Sequence, residues 1–273
     1  MDSGSVREAP VRITGRARYD RRPVGAAEIV AIAAAGMAAG AINTLVGSGT
    51  LITFPVLLAF GYSPVTANVS NNVGLVPGSV AGAIGYRREL AGQRTRALRF
   101  ALASALGAAT GAVLLLVLPD EAFDAIVPFF IGIALLSVVF QPRLDRLVAD
   151  RRPPPDAHGT GLPRVGVYFA GVYGGYFGAA QGILLLAILG LALPDDLHRI
   201  NALKNVLAGV VNGVAAIVFI LVADIAWGPA ALIAAGSVIG AQLAARYGRR
   251  MSVQALRAVI VAVGLAAIVQ LVT

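Results

Sequence analysis

Seven asparagines and a single lysine carry the chemical interest of this sequence, because all eight fall within two predominantly apolar regions. Asn68 and Asn72 stand four residues apart, and so do Asn201 and Asn205, so each pair shares one face of a helix. Asn71 lies inside the first pair and Lys204 inside the second. An asparagine amide brings donors and an acceptor, a lysine brings donors and a charge, and hydrocarbon satisfies none of them. Such groups either bond neighbouring helices together or line a polar cavity. A cation in a membrane helix costs about 2.5–3.5 kcal/mol on insertion scales. Lys204, five residues beyond Arg199, therefore either snorkels to the interface or faces a cavity. Its asparagine neighbours favour the cavity.

Two glycine-rich breaks add a third ingredient. One is Gly47-Ser48-Gly49-Thr50, and the other runs through Gly178 to Gln181-Gly182. Each should open a short helix whose first N–H groups and positive dipole end attract an anion. Lys204 as the charge, Asn68, Asn71, Asn72, Asn201 and Asn205 as amide donors, and the backbones at Gly47, Ser48, Gly49, Thr50, Gln181 and Gly182 together describe an anion-binding site near the membrane midplane. Acidic ligands are missing from the interior. Glu28 and Asp224 stand at segment ends, His158 in a polar linker and His198 in a loop, so no cation or metal site and no buried-carboxylate proton relay is assembled. The sequence has no HExxH, no histidine dyad and no GxSxG serine, so it is not read as an enzyme and calls for no cofactor.

The elements that must hold these groups are membrane helices. Of the 273 residues 58% are hydrophobic and 13% charged, against about a quarter charged in soluble domains, and the mean hydropathy is +0.79. The 22 basic and 14 acidic residues leave a charge of +8, but no basic patch interleaved with aromatics points to nucleic acid. No cysteine is present, which excludes disulfides and thiolate chemistry. The apolar segments are 26–60, 65–86, 100–118, 122–140, 165–193, 200–222, 227–245 and 253–273. A helix crosses the bilayer with about 20 apolar residues, so six segments are expected as single spans. The first and fifth are too long, contain the glycine breaks, and are expected as broken helices or as hairpins of two shorter helices, giving an all-α polytopic membrane fold of up to ten helices.

A shift of 133 residues lays Gly49 on Gly182, Asn68 on Asn201 and Asn72 on Asn205, with Leu51, Leu58, Ala59, Val73 and Ile84 on identical residues. The chain is accordingly read as a basic tail over 1–25, a repeat over 26–140, a polar linker over 141–164 that contains Pro153-Pro154-Pro155, and a second repeat over 165–273. Arg87, Arg88, Arg94, Arg96 and Arg99 follow the second segment of the first half, whereas Arg246, Arg249, Arg250 and Arg257 follow the third segment of the second. Short arginine-rich loops stay cytoplasmic, so equivalent loops face opposite sides and the repeats read as inverted. The six arginines of the tail pull the other way. Inversion requires each long first segment to cross twice or to enter and leave on one side.

The glycine turn at Gly47 to Gly49 followed by Pro55, the loop Gly61-Tyr62-Ser63-Pro64 with Ala67, and Asn71-Asn72 leading to Pro77 and Gly82 resemble the opening of the TauE/SafE family of sulfite and organosulfonate exporters. Residues 173–212, with Gly178, Gln181-Gly182 and Lys204-Asn205, are similar to the family's second repeat, although Gly178-Ala179-Ala180 is less glycine-dense. The resemblance implies a multi-pass permease of a prokaryotic cytoplasmic membrane for a small sulfur-containing anion such as sulfite, sulfoacetate or thiosulfate. The expected partners are that anion and the lipid bilayer. Export is the expected direction, since a negative-inside potential expels anions at about 2.3 kcal/mol per charge per 100 mV. Proton-coupled uptake and a non-transporting membrane scaffold are the alternatives.

Overall fold

The computed structural model describes residues 25–150, 161–248 and 253–272. The basic tail, the prolines of the linker, His158, Arg249 and Arg250 lie outside the described residues. Ten helices follow in order: α1 (Ala26–Leu45), α2 (Thr50–Ala59), α3 (Pro64–Gly85), α4 (Arg94–Val117), α5 (Asp120–Asp150), α6 (Leu162–Tyr176), α7 (Gln181–Ala192), α8 (Leu197–Val222), α9 (Trp227–Tyr247) and α10 (Val253–Val272). The all-helical architecture matches the expectation from hydropathy. Local chemistry places the helix starts: Ser63 caps α3 by accepting from Thr66 N, with Pro64 in the first turn, and Asp196 caps α8 by accepting from His198 N and Arg199 N at 2.9 and 3.0 Å.

Five described helices are long and apolar enough to span a membrane: α1, α4, the 120–144 part of α5, α8 and α9. Helix α3 is 22 residues long, about 33 Å. It falls outside that set, contrary to the expectation for 65–86, and its interior carries Asn68, Ser70, Asn71 and Asn72. The expected linker also begins as helix, since α5 continues through residues 141–150. Leu144 there still packs on the core, while Arg143 and Arg146 are exposed.

Both long segments form helical hairpins. Ala39 backs onto Gly49, and Tyr62 Oη donates to Glu28 Oε1 at 2.6 Å, so α2 runs back alongside α1 and ends beside its start. In the second half Gly174 lies against Gln181 and Gly166 against Ile188, so α7 returns along α6. At 10 and 12 residues, α2 and α7 are about 15–18 Å long and reach only halfway across a 30 Å hydrocarbon core.

The remaining contacts fix the directions of the long helices. Gly36 and Gly40 of α1 meet Ile233 and Ser237 of α9, and Gly74 and Gly78 of α3 meet the same two residues, so α1, α3 and α9 run parallel. Gly107 and Gly111 of α4 pack on Tyr168 and Val172 of α6, so these two are parallel as well. Small residues at four-residue spacing let these backbones approach closely. Helix α3 runs against α8: Ser79 Oγ accepts from Asn212 Nδ2 at 3.1 Å, Ser70 Oγ accepts from Ala226 N at 2.9 Å, and beyond the C-terminus of α3 Gln93 Nε2 donates to Arg199 O at 3.2 Å. One end of the molecule therefore gathers Arg87, Arg88, Arg94, Arg96, Arg199 and Arg246, and the opposite end carries Asp120, Glu121, Asp224 and the start of α1. Aromatic rings lock the hairpins together at mid-height, with Phe54 of α2 edge-on to Phe177 at 5.1 Å and Phe123 of α5 6.0 Å from Phe177.

Candidate functional site

The two hairpin tips meet in the centre. Gly182 N donates to Gly47 O at 3.0 Å, and a Cβ on either glycine would collide with the backbone of the other. Gly47 also adopts φ +95°, which the tight reversal after α1 requires.

The C-terminus of α1 leaves carbonyls without helical partners, and α8 supplies donors to them. Lys204 Nζ donates to Asn43 O at 2.8 Å and Thr44 O at 3.4 Å. Asn201 and Asn205 donate to Thr44 O at 3.2 and 3.3 Å. The lysine is wholly buried, and among the expected positions it is the one that crosses between halves with a charge. The counterpart in the other half is weaker but has the same logic: Asn68 Nδ2 donates to Tyr176 O at the end of α6, at 2.8 Å, while Asn71 bonds the hydroxyls of Thr50 and Thr53 on α2. The asparagine pairs thus form two clusters, one on each side of the junction of the tips.

Beside the junction lies a narrow cavity lined by Asn43, Thr44, Gly47, Thr50, Ser79, Gly82, Gly178, Gln181, Gly182, Asn205, Ala208 and Asn212. Of the residues expected from sequence, Gly47, Thr50, Gln181, Gly182 and Asn205 line it. Lys204 and Asn201 stand behind its wall through their bonds to Asn43 and Thr44, and Gly49 behind it through Gly49 N, which donates to Asn43 Oδ1 at 2.6 Å. Asn68, Asn71 and Asn72 belong to the second cluster and do not line it. Two buried groups at the tips have no hydrogen-bond partner: Ser48 Oγ and Gln181 Nε2, which the 133-residue shift makes equivalent. Asn72 Oδ1 and Asn201 Oδ1 are unpartnered too. Only glycine at 174 leaves room for the Gln181 amide.

Sequence reasoning passed over Asn43, Ser79 and Asn212. The signal was available: Asn43 and Asn212 complete the set of seven asparagines, and position 79 shifts onto position 212, so this pair meets itself across the repeat. The dipole argument changes as well. Helices α2 and α7 present N-termini to the junction, but α1 and α6 end there with C-termini, so the partial charges of about +0.5 and −0.5 cancel in pairs. Gly49 and Gly182 have already donated their N–H groups within the tips. The uncancelled charge at the site is that of Lys204, and no acidic side chain lines the cavity.

At the basic end Asp195 joins the halves. It pairs with Arg96 of α4 and, at 2.9 Å, with Arg199 Nε. Burial pushes the Asp195 carboxyl up, but hydrogen bonds from Arg199 and Arg96 and their charges outweigh it and hold its pKa below the ordinary 3.8.

Apolar helices long enough to span a bilayer, two hairpins meeting at mid-height and a polar cavity at their junction are features of a multi-pass membrane transporter. The family model described as sulfite exporter TauE/SafE matches residues 32–271. The chain belongs to this family. It is 28% identical over 239 residues to a probable membrane transporter protein, ORF9, of Sinorhizobium sp, covering 87% of this chain and 89% of the relative. It is 26% identical to the probable membrane transporter protein YfcA of Escherichia coli K12, with 77% of each chain covered. A probable membrane transporter protein of Haemophilus influenzae is 29% identical over 77% of this chain and 81% of its own. These relatives are described as transporters, not enzymes. No solved structure matches the chain.

Proposed function

We propose that the protein is a secondary transporter that exports a small sulfur-containing anion, such as sulfite or an organosulfonate, across the cytoplasmic membrane by alternating access. The observation that carries the reading is the unpartnered Gln181 amide on the wall of an acid-free cavity, with the Lys204 charge directly behind that wall. An anion accepting from Gln181 would satisfy a donor that is otherwise costly to bury, and the lining amides of Asn43, Asn205 and Asn212 offer further N–H groups beside it. The antiparallel course of α3 and α8, which the repeat makes equivalent, supports inverted halves rocking about the tips. The cavity holds only about 20 Å³, room for about one water. Loading an anion therefore requires the tips to part, which is the motion that alternating access supplies.

One observation favours a second role for the lysine. All its bonds go to the α1 carbonyls, so it also caps that helix. Lys204→Gln separates the two roles, since the amide retains donors for the carbonyls and loses the charge. In proteoliposomes loaded with labelled sulfite, the variant is expected to fold with near-native thermal stability and lose at least about tenfold of the efflux rate, equivalent to 1.4 kcal/mol. Wild-type efflux from folded Lys204→Gln protein would leave capping as the lysine's task and remove the charge from the site. Absence of sulfite, thiosulfate and sulfoacetate flux through the wild type would overturn the transport reading.

A further inference from the structure

A second, larger recess lies outside the transport site, on the outer side of α3 where it packs against α9. It encloses about 580 Å³ and is lined by Pro77, Val80, Ala81, Ile84, Gly85, Arg87, Val238, Gln242, Ala245 and Arg246. That volume lies within the range of about 300–1,000 Å³ typical of small-molecule sites. Its composition is graded. Val80 and Ile84 are 50% and 57% exposed and form an apolar floor, whereas Arg87 and Arg246 stand together at one end. Neither arginine has an ion-pair partner among the described residues, unlike Arg96 and Arg199, which share Asp195. From Pro77 to Arg87 the recess follows ten residues of α3 and its end, about 15 Å, which is the depth of one leaflet of a 30 Å hydrocarbon core.

We propose that this groove binds one anionic phospholipid, with the headgroup phosphate between Arg87 and Arg246 and an acyl chain laid along Ile84, Val80 and Pro77. The charge complements an anion, the floor complements a chain, and the length matches a leaflet. The arginine-rich end is the one the positive-inside rule assigns to the cytoplasm, and the cytoplasmic leaflet supplies anionic lipid. A zwitterionic lipid would fill the floor equally well but give the two guanidiniums no net charge to neutralise. A second copy of the chain fits less well. A two-fold contact on this face places the same surface against itself, and its lining offers two arginines and no acid, so like charges would meet.

The site has consequences for transport, because the opposite face of this part of α3 contributes Ser79 and Gly82 to the central cavity. A lipid seated in the groove braces the helix that forms the cavity wall. Binding itself is independent of which anion is carried.

Thermal unfolding of detergent-purified full-length protein tests the proposal with defined lipids. Phosphatidylglycerol at about a hundredfold excess over its Kd is expected to raise Tm by about 5–10 °C, and phosphatidylcholine to leave it within error. In the variant carrying both Arg87→Ala and Arg246→Ala the phosphatidylglycerol shift should disappear while the lipid-free Tm is kept, both side chains being exposed. A control carrying Arg94→Ala and Arg99→Ala should retain the shift. The proposal is overturned if phosphatidylcholine stabilises equally, if the control loses the shift to the same extent, or if light scattering finds a dimer that Ile84→Arg dissociates, since a second copy would then occupy the groove.

Discussion

Lys204 was singled out by its solitude, as the one lysine within an apolar helix, and its placement gives that isolation a physical cause. Its Nζ satisfies the carbonyls of Asn43 and Thr44 where α1 stops, so the charge is held at the edge of the cavity by a helix end that needs a donor. Lys204→Ala removes cap and charge together. It should cost stability by about 1–3 kcal/mol for the carbonyls left unpaired, visible in thermal unfolding, in addition to abolishing flux. Gly182 tests the neighbouring tip. In Gly182→Ala the new Cβ meets the backbone of Gly47, which cannot move without opening the hairpin junction. We expect a stability loss of about 1–3 kcal/mol from overpacking, with flux falling at the same time; an unaltered Tm and flux would show that the tips need not touch. The asparagines were legible as a set because polar amides in hydrocarbon are conspicuous. Which of them face one another was not legible, since spacing along a helix says nothing about its rotation relative to a partner. That is why Asn43 and Asn212 went unselected while Asn68, Asn71 and Asn72 were grouped with Lys204.

At the scale of elements, the glycine breaks in two overlong segments were readable from length alone, and the structure resolves the alternative left open there. Both segments turn back to the end from which they start, as Glu28 with Tyr62 and Gly166 with Ile188 require. Three long helices follow each hairpin, α3 to α5 in one half and α8 to α10 in the other, and inversion would require all three to cross. Since the chain has no cysteine, single cysteines at Gly92, Gly248, Asp120 and Asp224 report the topology directly. The first two should react with an impermeant maleimide only from the cytoplasmic side and the last two only from outside; Gly92 and Gly248 on opposite sides would rule out inverted halves. The boundary of the linker was not legible, because charged residues at 143–150 are compatible with a helix that projects past the bundle. The bridge from Asp195 to Arg96 and Arg199 makes a further prediction. Its carboxyl has a pKa below 3.8 in the folded protein, so it binds a proton more weakly there than in the unfolded chain. Its stabilising contribution is complete above that ordinary value and is lost as pH falls through the lowered one. The Tm advantage of the wild type over Asp195→Asn should hold from neutrality to about pH 4 and shrink towards zero at more acid pH.

For the molecule as a whole, composition announced the lipid solvent, and the folded chain shows how that solvent is met. Exposed Trp227 and Tyr247 stand at the two ends of α9, about 30 Å apart along the helix, matching the hydrocarbon thickness with an aromatic at each interface. Large apolar side chains such as Leu102, Phe129, Ile217 and Leu221 cover the outside, and polar residues turn inward. The charges divide along the same axis: Arg87, Arg88, Arg94, Arg96, Arg199 and Arg246 gather at one end, where Asp195 pairs with two of them, and Asp120, Glu121 and Asp224 stand at the other. This arrangement fits a role in orientation better than recruitment of an acidic partner. The central claim is that the junction of the two hairpins is an anion site. Calorimetric titration of purified protein with sulfite, thiosulfate, sulfoacetate and chloride tests it most directly, comparing wild type with Gln181→Ala. The account predicts that at least one sulfur oxyanion binds more tightly than chloride and that Gln181→Ala weakens it by about tenfold, the 1.4 kcal/mol expected for a lost hydrogen bond to a charged group. Equal affinity in the variant, or no binding of any sulfur anion by folded wild type, would contradict it.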